Sequence, residues 1–407
     1  GGAGTGAGRD AAPVSVRDRL TGRSADEQRH VLLELVRAQI ALVLGFATAD
    51  GIEPEGSLVD AGFDSLTAVE LRNRLGAATG LRLPPTLVFD RPTPTALAAH
   101  LGEELAVAPG GADEQAASGG AGRHERTGPA DEGLSVLFRE ACKAGKVDQG
   151  YELLRSAAAL RPTFASPEDF GEGLRAVRLA SGPGSPSLIC FSSFAALAGV
   201  HGYARLAADF RGVSDVWALS VPGFLAGERL PETWETLVEV QVQAVLERIG
   251  DGPLVLAGSS GGGLLAHAAA ARLEELGAPP AGVVLMDTFP ATEDSPLLKF
   301  QAELVSGMFD REHFASLDSA RLTAMSWYFD RFAGWTPKPL SVPTLLLRAS
   351  EPIIAAGPDG PYQPHEWQTP WDTAHTVVDV PGNHFTMMEA WAGTTARAVQ
   401  EWIEKHV

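Results

Sequence analysis

Cysteine is scarce: Cys142 and Cys190 are the only two in 407 residues. That excludes a disulfide framework and a cysteine-built metal cluster, so no metal is expected, and a reducing, cytoplasmic setting fits. Cys190 falls inside an apolar strand pattern and reads as a buried structural thiol. Basic charge is also short, with 32 Lys and Arg against 51 Asp and Glu and a formal net charge of −19. A nucleic-acid footprint would need a basic stripe, and an anionic membrane surface would repel such a chain. The surplus acid reads as a solubilising surface. No apolar run, including the one around Leu254 to Leu256, approaches the roughly 18 to 20 residues of a membrane span. The opening GGAGTGAGRDAAPVS begins with Gly and has neither an apolar nor a basic leader segment. Residues 1–27 are therefore expected to be an inter-domain linker within a longer polypeptide.

What is present divides into parts. A chain this long cannot bury its apolar residues in one compact core, so about two or three domains are expected. The stretch 106–133, AVAPGGADEQAASGGAGRHERTGPADEG, is rich in Gly, Ala, Pro and charge without apolar period, and reads as a flexible linker. Before it, in residues 28–105, Leu32, Val36, Ile40 and Val43 share one helical face, and Ala68, Leu71 and Leu75 share another. Thr95 to Leu105 supplies a last helix, while Asp50-Gly51 and Pro84-Pro85 punctuate the connections. The pattern predicts a small all-α four-helix bundle. In residues 134–407, short apolar strands alternate with amphipathic helices. The strands are expected at Ser187 to Phe191, Asp215 to Val221, Pro253 to Leu256, Gly282 to Met286, Thr344 to Arg348 and Thr376 to Val380. Such alternation predicts a mostly parallel sheet with helices on both faces, and ligands bind at the carboxyl ends of its strands.

Two serines stand out. Gly62-Phe63-Asp64-Ser65-Leu66 precedes a helix running to about Ala78, which puts Ser65 at an exposed helix start. An N-cap alone would explain a lone Asp-Ser there. However, Leu66 lies opposite the Ala68/Leu71/Leu75 face, leaving a large apolar side chain beside the serine as a docking feature. The run DSLTAVELRNRL resembles the attachment site and second helix of type I polyketide synthase acyl carrier domains, over about 75 residues from His30 to Leu105. The resemblance implies that Ser65 carries a covalent 4′-phosphopantetheine arm, placed there by a phosphopantetheinyl transferase. A helix N-terminus suits a nearby phosphate.

The second serine sits in Gly258-Ser259-Ser260-Gly261-Gly262, between the strand ending at Ala257 and the helix Leu264 to Glu275. This is the G-x-S-x-G pattern in its strand-to-helix context, and the register selects Ser260, which has glycine two residues away on each side. A serine hydroxyl needs a base. His384, in Pro381-Gly382-Asn383-His384-Phe385-Thr386 after the final strand, is the candidate. Its rivals, His375 on the entry side of that strand and His365 in a Pro-rich loop, read as surface or structural residues. Two acids follow strands: Asp287, ending VVLMD, and Glu351, ending LLLRASE.

The large unit resembles the α/β-hydrolase thioesterases of polyketide and nonribosomal peptide synthases. The segments carrying the likeness are CFSSFAALAG, PGFLAGERLPETW, the elbow, MDTFP, PTLLLRASEP and PGNHFTMM. The resemblance implies Asp287, 27 residues after Ser260, as the acid that orients His384. It also implies oxyanion-hole amides from Phe194 and Gly261. Two positions depart from the family pattern: Ser259 stands where His is common, and Ser193-Phe194 where Gly-Thr is common. Because the donor is a backbone N–H, the Phe194 side chain changes pocket shape rather than the donor. Further implications are a helical lid between Asp287 and Pro343, containing Trp327, Tyr328, Phe329, Phe332 and Trp335, and an N-terminal helical hairpin. The hairpin's stripe, Leu134, Leu137, Phe138 and Ala141, would form a homodimer seam across residues 134–160. The implied partners are the polyketide acyl chain and upstream synthase domains. The implied activity is chain release through Ser260, with macrolactonisation by an internal hydroxyl or hydrolysis to a linear acid as outcomes. A carrier scaffold with an editing-only or inactive hydrolase unit is the competing reading.

Overall fold

The computed structural model describes residues 16–20, 22–44, 49, 52–58, 63, 65–84, 87–107, 132–171, 173–248, 252–290, 295, 301–310, 317–332, 335–353, 356–357, 360–361, 363–368, 371, 373 and 375–407. It falls into two compact units, residues 1–118 and 119–407.

The described part of the small unit is helical: α1 (Val16–Leu20), α2 (Ala25–Leu44), α3 (Ser65–Thr79), α4 (Leu87–Asp90) and α5 (Pro94–Val107). Ser24 and Glu27 form a capping box that starts α2, with Ser24 N–H on Glu27 Oε2 at 2.8 Å and Glu27 N–H on Ser24 Oγ at 3.3 Å. Pro94 occupies the first turn of α5 and Thr93 Oγ1 accepts from Ala96 N–H at 3.2 Å. Each long helix then contributes one apolar stripe to a shared core: Leu32, Val36 and Ile40 from α2, Ala68, Leu71 and Leu75 from α3, Leu97 and Leu101 from α5. One boundary differs from the expectation. Within the stretch assigned to a linker, Val16 and Leu20 are buried on α1, and Gln28 Nε2 of α2 donates to the Leu20 carbonyl at 3.1 Å. Two apolar residues one helical turn apart are enough to draw this segment onto the bundle.

The large unit opens with the hairpin α6 (Glu132–Lys143) and α7 (Val147–Ala158), followed by β1 (Thr163–Phe164) and α8 (Pro167–Phe170). Next come β2 (Ala176–Ala180), β3 (Gly184–Phe191), α9 (Ala204–Ala208), β4 (Ser214–Leu219), β5 (Leu230–Pro231) and α10 (Trp234–Arg248). The middle comprises β6 (Leu254–Ser259), α11 (Gly261–Glu275), β7 (Gly282–Met286) and the helices α12 (Gln301–Asp310) and α13 (Ser319–Phe332). The last elements are β8 (Thr344–Ala349), β9 (Ala356–Gly357), β10 (Gly360–Pro361), α14 (Pro364–Trp367), β11 (Thr376–Val380) and α15 (Ala392–His406).

Among the described residues, seven strands form the central sheet in the order β11-β8-β7-β6-β3-β4-β2, and β1 with β5 and β9 with β10 make two small extra pairs. Neighbours are parallel except β2, which runs antiparallel to β4 along one edge. β2 is not among the strands expected from the sequence. Its five residues, AVRLA, carry too short a period to stand out, and pairing with β4 and the Arg178–Asp215 ion pair at 2.7 Å hold it there. Central β7, GVVLM, is buried at every position, the continuous apolar pattern of a parallel strand covered on both faces. Cys190 is fully buried in β3, which pushes its thiol pKa up by desolvation. On α11, His267 is buried between Trp335 and Trp371, and desolvation lowers its pKa to about 4. It is a neutral core histidine.

The hairpin stripe divides. Phe138 and Leu154 are fully buried against Met308, Leu317, Leu322 and Met325 of the α12–α13 insertion, with Leu134 and Cys142 packed beside them. Leu137, one residue from Phe138, is turned about 100° away and is exposed together with Val136 and Leu160. A further polar seam runs alongside. Arg155 pairs with Asp330 at 2.8 Å, and Arg161 donates to the carbonyls of Ala320, Gly223 and Glu228. Of the insertion's aromatics, Tyr328 and Phe332 belong to the core, whereas Trp327, Phe329 and Trp335 are half-buried.

Candidate active site

Ser260 joins β6 to α11 with φ 55° and ψ −129°, in the positive-φ region that a residue with a Cβ rarely enters. The strain is of the order of 1–3 kcal/mol, and its surroundings hold it. Ser260 N–H donates to Met286 O at 2.9 Å and Ser260 O accepts from Gly263 N–H at 3.0 Å. Only glycine fits around it: a Cβ on Gly258 would collide with the Gly262 backbone, and one on Gly262 with the Phe191 carbonyl. The hydroxyl of Ser260 does not cap the helix it precedes.

Asp287 follows β7, also at positive φ (44°). Its N–H donates to Leu347 O at 2.8 Å, and its Oδ1 accepts from Ala349 N–H at 3.1 Å. The other oxygen, Oδ2, lies 2.8 Å from His384 Nδ1, and both side chains are buried. A carboxylate only accepts, so Nδ1 carries the proton of this bond, which leaves Nε2 as the ring nitrogen that can serve as a base. His384 is presented by a turn after β11 in which Asn383 Oδ1 accepts from Phe385 N–H (3.1 Å) and Thr386 N–H (3.0 Å). Phe289 and Phe385 flank its ring at 5.8 and 5.3 Å. Glu351 is exposed, and its backbone N–H donates to Gly382 O at 3.0 Å. His375 lies at the opposite end of β11 from His384, with Nδ1 on the Thr373 carbonyl. His365 is in α14, and its side chain lies outside the described ones.

Phe194 and Gly261 meet directly. A Cβ on Gly261 would stand 2.6 Å from the tip of the Phe194 ring, which is itself buried among Trp234, Tyr328, Phe329 and Phe332. Two residues that no motif pointed to support this corner. Tyr203 Oη donates to Phe191 O at 2.6 Å and accepts from Ser259 N–H at 2.9 Å, joining the ends of β3 and β6. Arg321, on α13, donates to Ala196 O and Ala198 O at 3.2 and 3.1 Å. Neither residue has a local sequence signature, because the contacts span 56 and more than 120 positions.

In the small unit Ser65 is the first residue of α3; its side chain and that of Leu66 lie outside the described ones. The inner face of α3 is anchored in the core by Ala68, Leu71 and Leu75, and the positive end of such a helix suits a phosphodiester.

A parallel sheet with a strained serine at one strand-to-helix elbow and an acid–histidine pair after later strands is the plan of the α/β-hydrolases. Within that class the family is specific: residues 186–403 match the thioesterase domain family, and the chain belongs to it. Residues 34–101 match the phosphopantetheine attachment site family, which makes 4′-phosphopantetheine the covalent prosthetic group of the small unit. Over 95% of its length the chain is 41% identical to the spectinabilin polyketide synthase system protein NorC of Streptomyces orinoci. Over 96% it is 44% identical to the polyketide synthase GfsE of Streptomyces halstedii. It spans 16% and 10% of those two proteins. The solved Vlm2 thioesterase domain bound to a dodecadepsipeptide is 22% identical with a TM-score of 0.41, covering 56% of this chain and 96% of that one. Among the described residues, no helix is long and apolar enough to cross a membrane.

Proposed function

We propose that this chain releases a polyketide acyl chain from its carrier by transfer to Ser260, with His384 as base and Asp287 as the acid that orients it. The observation that carries this reading is the 2.8 Å Asp287–His384 hydrogen bond in the same chain as a carrier domain. Ser65 is the residue we assign as the phosphopantetheine attachment point, modified by a phosphopantetheinyl transferase; the arm supplies a thiol that holds the acyl group as a thioester. The chain's own residues do the rest. Ser260 Oγ attacks the thioester carbonyl as His384 Nε2 takes its proton, and the Phe194 and Gly261 amides receive the developing oxyanion. The same proton then passes to the departing thiol, leaving an ester on Ser260. In the second half, His384 deprotonates the nucleophile that resolves this ester.

An internal hydroxyl would give a macrolactone and water a linear acid. We infer cyclisation, because the α12–α13 insertion, which we read as a lid, sets Tyr328, Phe329 and Phe332 around the Phe194 loop and would limit water. Intact-protein mass spectrometry with an acyl thioester tests the first half: an acyl adduct on Ser260 is expected. Acyl load confined to Ser65 would favour a carrier scaffold with an inactive hydrolase unit.

The α6–α7 hairpin is the proposed homodimer seam, with upstream synthase domains as further partners. Its exposed apolar side chains are Val136, Leu137 and Leu153, with Leu160 just beyond, while the Phe138 side covers the insertion, so deleting the hairpin would also uncover a core. Leu137→Glu is the cleaner probe. Light scattering should show a dimer becoming a monomer with unchanged thermal stability; a dimer of undiminished affinity would place the seam elsewhere.

A further inference from the structure

Among the described residues, Arg321 is the most deeply buried charge that the proposed reaction does not use. Its side chain is 6% exposed and sits on α13, far in sequence from every residue discussed as catalytic. Burial of a guanidinium is costly unless its donors are satisfied. Here Nη1 reaches two carbonyls, Ala196 O at 3.2 Å and Ala198 O at 3.1 Å, while Nε faces Asp318 Oδ2 at 4.0 Å. Asp318 also accepts from Arg321 N–H at 2.9 Å, which fixes the start of α13 around this side chain.

Both carbonyls belong to the segment that leaves β3 and carries Phe194. That segment is otherwise held by few backbone bonds: Ser192 N–H to Leu219 O at 3.1 Å at its start, and Ala198 N–H to Ala195 O at 2.9 Å within it. The Phe194 ring is clasped by the same helix, with Phe332, Phe329 and Tyr328 at 4.7, 5.9 and 6.0 Å. One helix of the insertion therefore grips this loop twice, through aromatic packing at Phe194 and through Arg321 Nη1 on the carbonyls two and four residues later. On the opposite side, Tyr203 Oη ties Phe191 O to Ser259 N–H, so the loop is braced between α13 and the serine elbow.

We propose that Arg321 is a positioning residue for the oxyanion amide of Phe194, coupling the placement of α13 to the acylation step. The proposal rests on the chain-release reading, since it needs an oxyanion to form at this loop. Both bonds leave one nitrogen, Nη1, at the end of the rigid guanidinium plane; lysine would carry the charge on a shorter, rotatable ammonium that does not hold a donor at that place. A displaced loop moves the Phe194 N–H relative to the oxyanion, and small displacements of such donors are expensive in rate.

The test uses the whole chain and a soluble N-acetylcysteamine acyl thioester, with R321Q and R321K. Acylation kcat should fall about 100-fold in R321Q and by a smaller factor in R321K, with KM changed less than about threefold. Affinity for an alkylboronic acid, which forms a tetrahedral adduct on Ser260, should weaken by the same factor as kcat. A merely structural anchor would lower thermal stability or raise KM and leave kcat and boronate affinity unchanged, and that result overturns the proposal. Should R321Q fail to fold, R321K alone decides, because wild-type acylation in it is equally contrary. A wild-type chain that never acylates Ser260 overturns the chain-release reading and this proposal together. Wild-type acylation with indifferent variants overturns the positioning role alone.

Discussion

Asp287→Asn should lower the rate of Ser260 acylation by about 10⁴-fold while the protein still folds. The size follows from what the carboxylate does. With Oδ2 on His384 Nδ1, Asp287 would in the proposed reaction hold the tautomer that leaves Nε2 as the base, and its negative charge would stabilise the imidazolium formed as Ser260 loses its proton. An amide at this position supplies no charge and can present its NH2 group to Nδ1, which would turn the ring to the wrong tautomer. The fold should survive, because the backbone bond to Leu347 O persists and Asn tolerates positive φ well. Glu351→Gln should cost less than a factor of about three, since Glu351 is exposed and its bond to Gly382 O is made by the backbone. Single-turnover acylation of both variants gives the answer. A near-normal Asp287→Asn beside an inactive Glu351→Gln would mean that the acid follows β8 rather than β7.

The division between what the sequence discloses and what it withholds has a physical pattern. Central strands such as β7 are legible because a parallel strand covered on both faces must be apolar throughout. The serine elbow is legible because its strain leaves room only for glycine at 258 and 262, and steric exclusion writes itself into adjacent letters. Helical stripes on α2 and α3 are legible through their period. The acid is less so. Asp287 and Glu351 both end apolar strands, and from the residues alone either could serve; which one meets His384 depends on how the chain returns after β11, across 97 positions in the case of Asp287. The hairpin shows the same limit in another form. Its apolar residues promise a buried face, but Phe138 and Leu137 share one stripe by composition and separate by about a quarter-turn in space, one covering the insertion and the other left exposed. Arg321 and Tyr203 are invisible beforehand because their partners are backbone carbonyls and an amide, which any residue supplies.

Ser65→Ala should abolish formation of the phosphopantetheinylated carrier while leaving turnover of a soluble thioester within about twofold of wild type. The reason is that the two reactions depend on separate cores. Leu32, Val36, Ile40, Leu71 and Leu101 close the small unit, whereas the strands and helices that hold Ser260, Asp287 and His384 pack among residues 164–402 of the other. The substitution itself should not disturb α3. Alanine is at least as good a helix residue as serine, and the described buried side chains of that helix include Ala68, Leu71 and Leu75. What alanine removes is the Ser65 hydroxyl, to which we assign the arm. Intact mass after incubation with coenzyme A and a phosphopantetheinyl transferase should show the arm on the wild-type chain and none on the variant. A variant that still gains the arm would move the attachment point to another serine. A variant that gains nothing and also loses soluble-thioester turnover would show that the hydrolase unit depends on the carrier, against the independence that their separate cores imply.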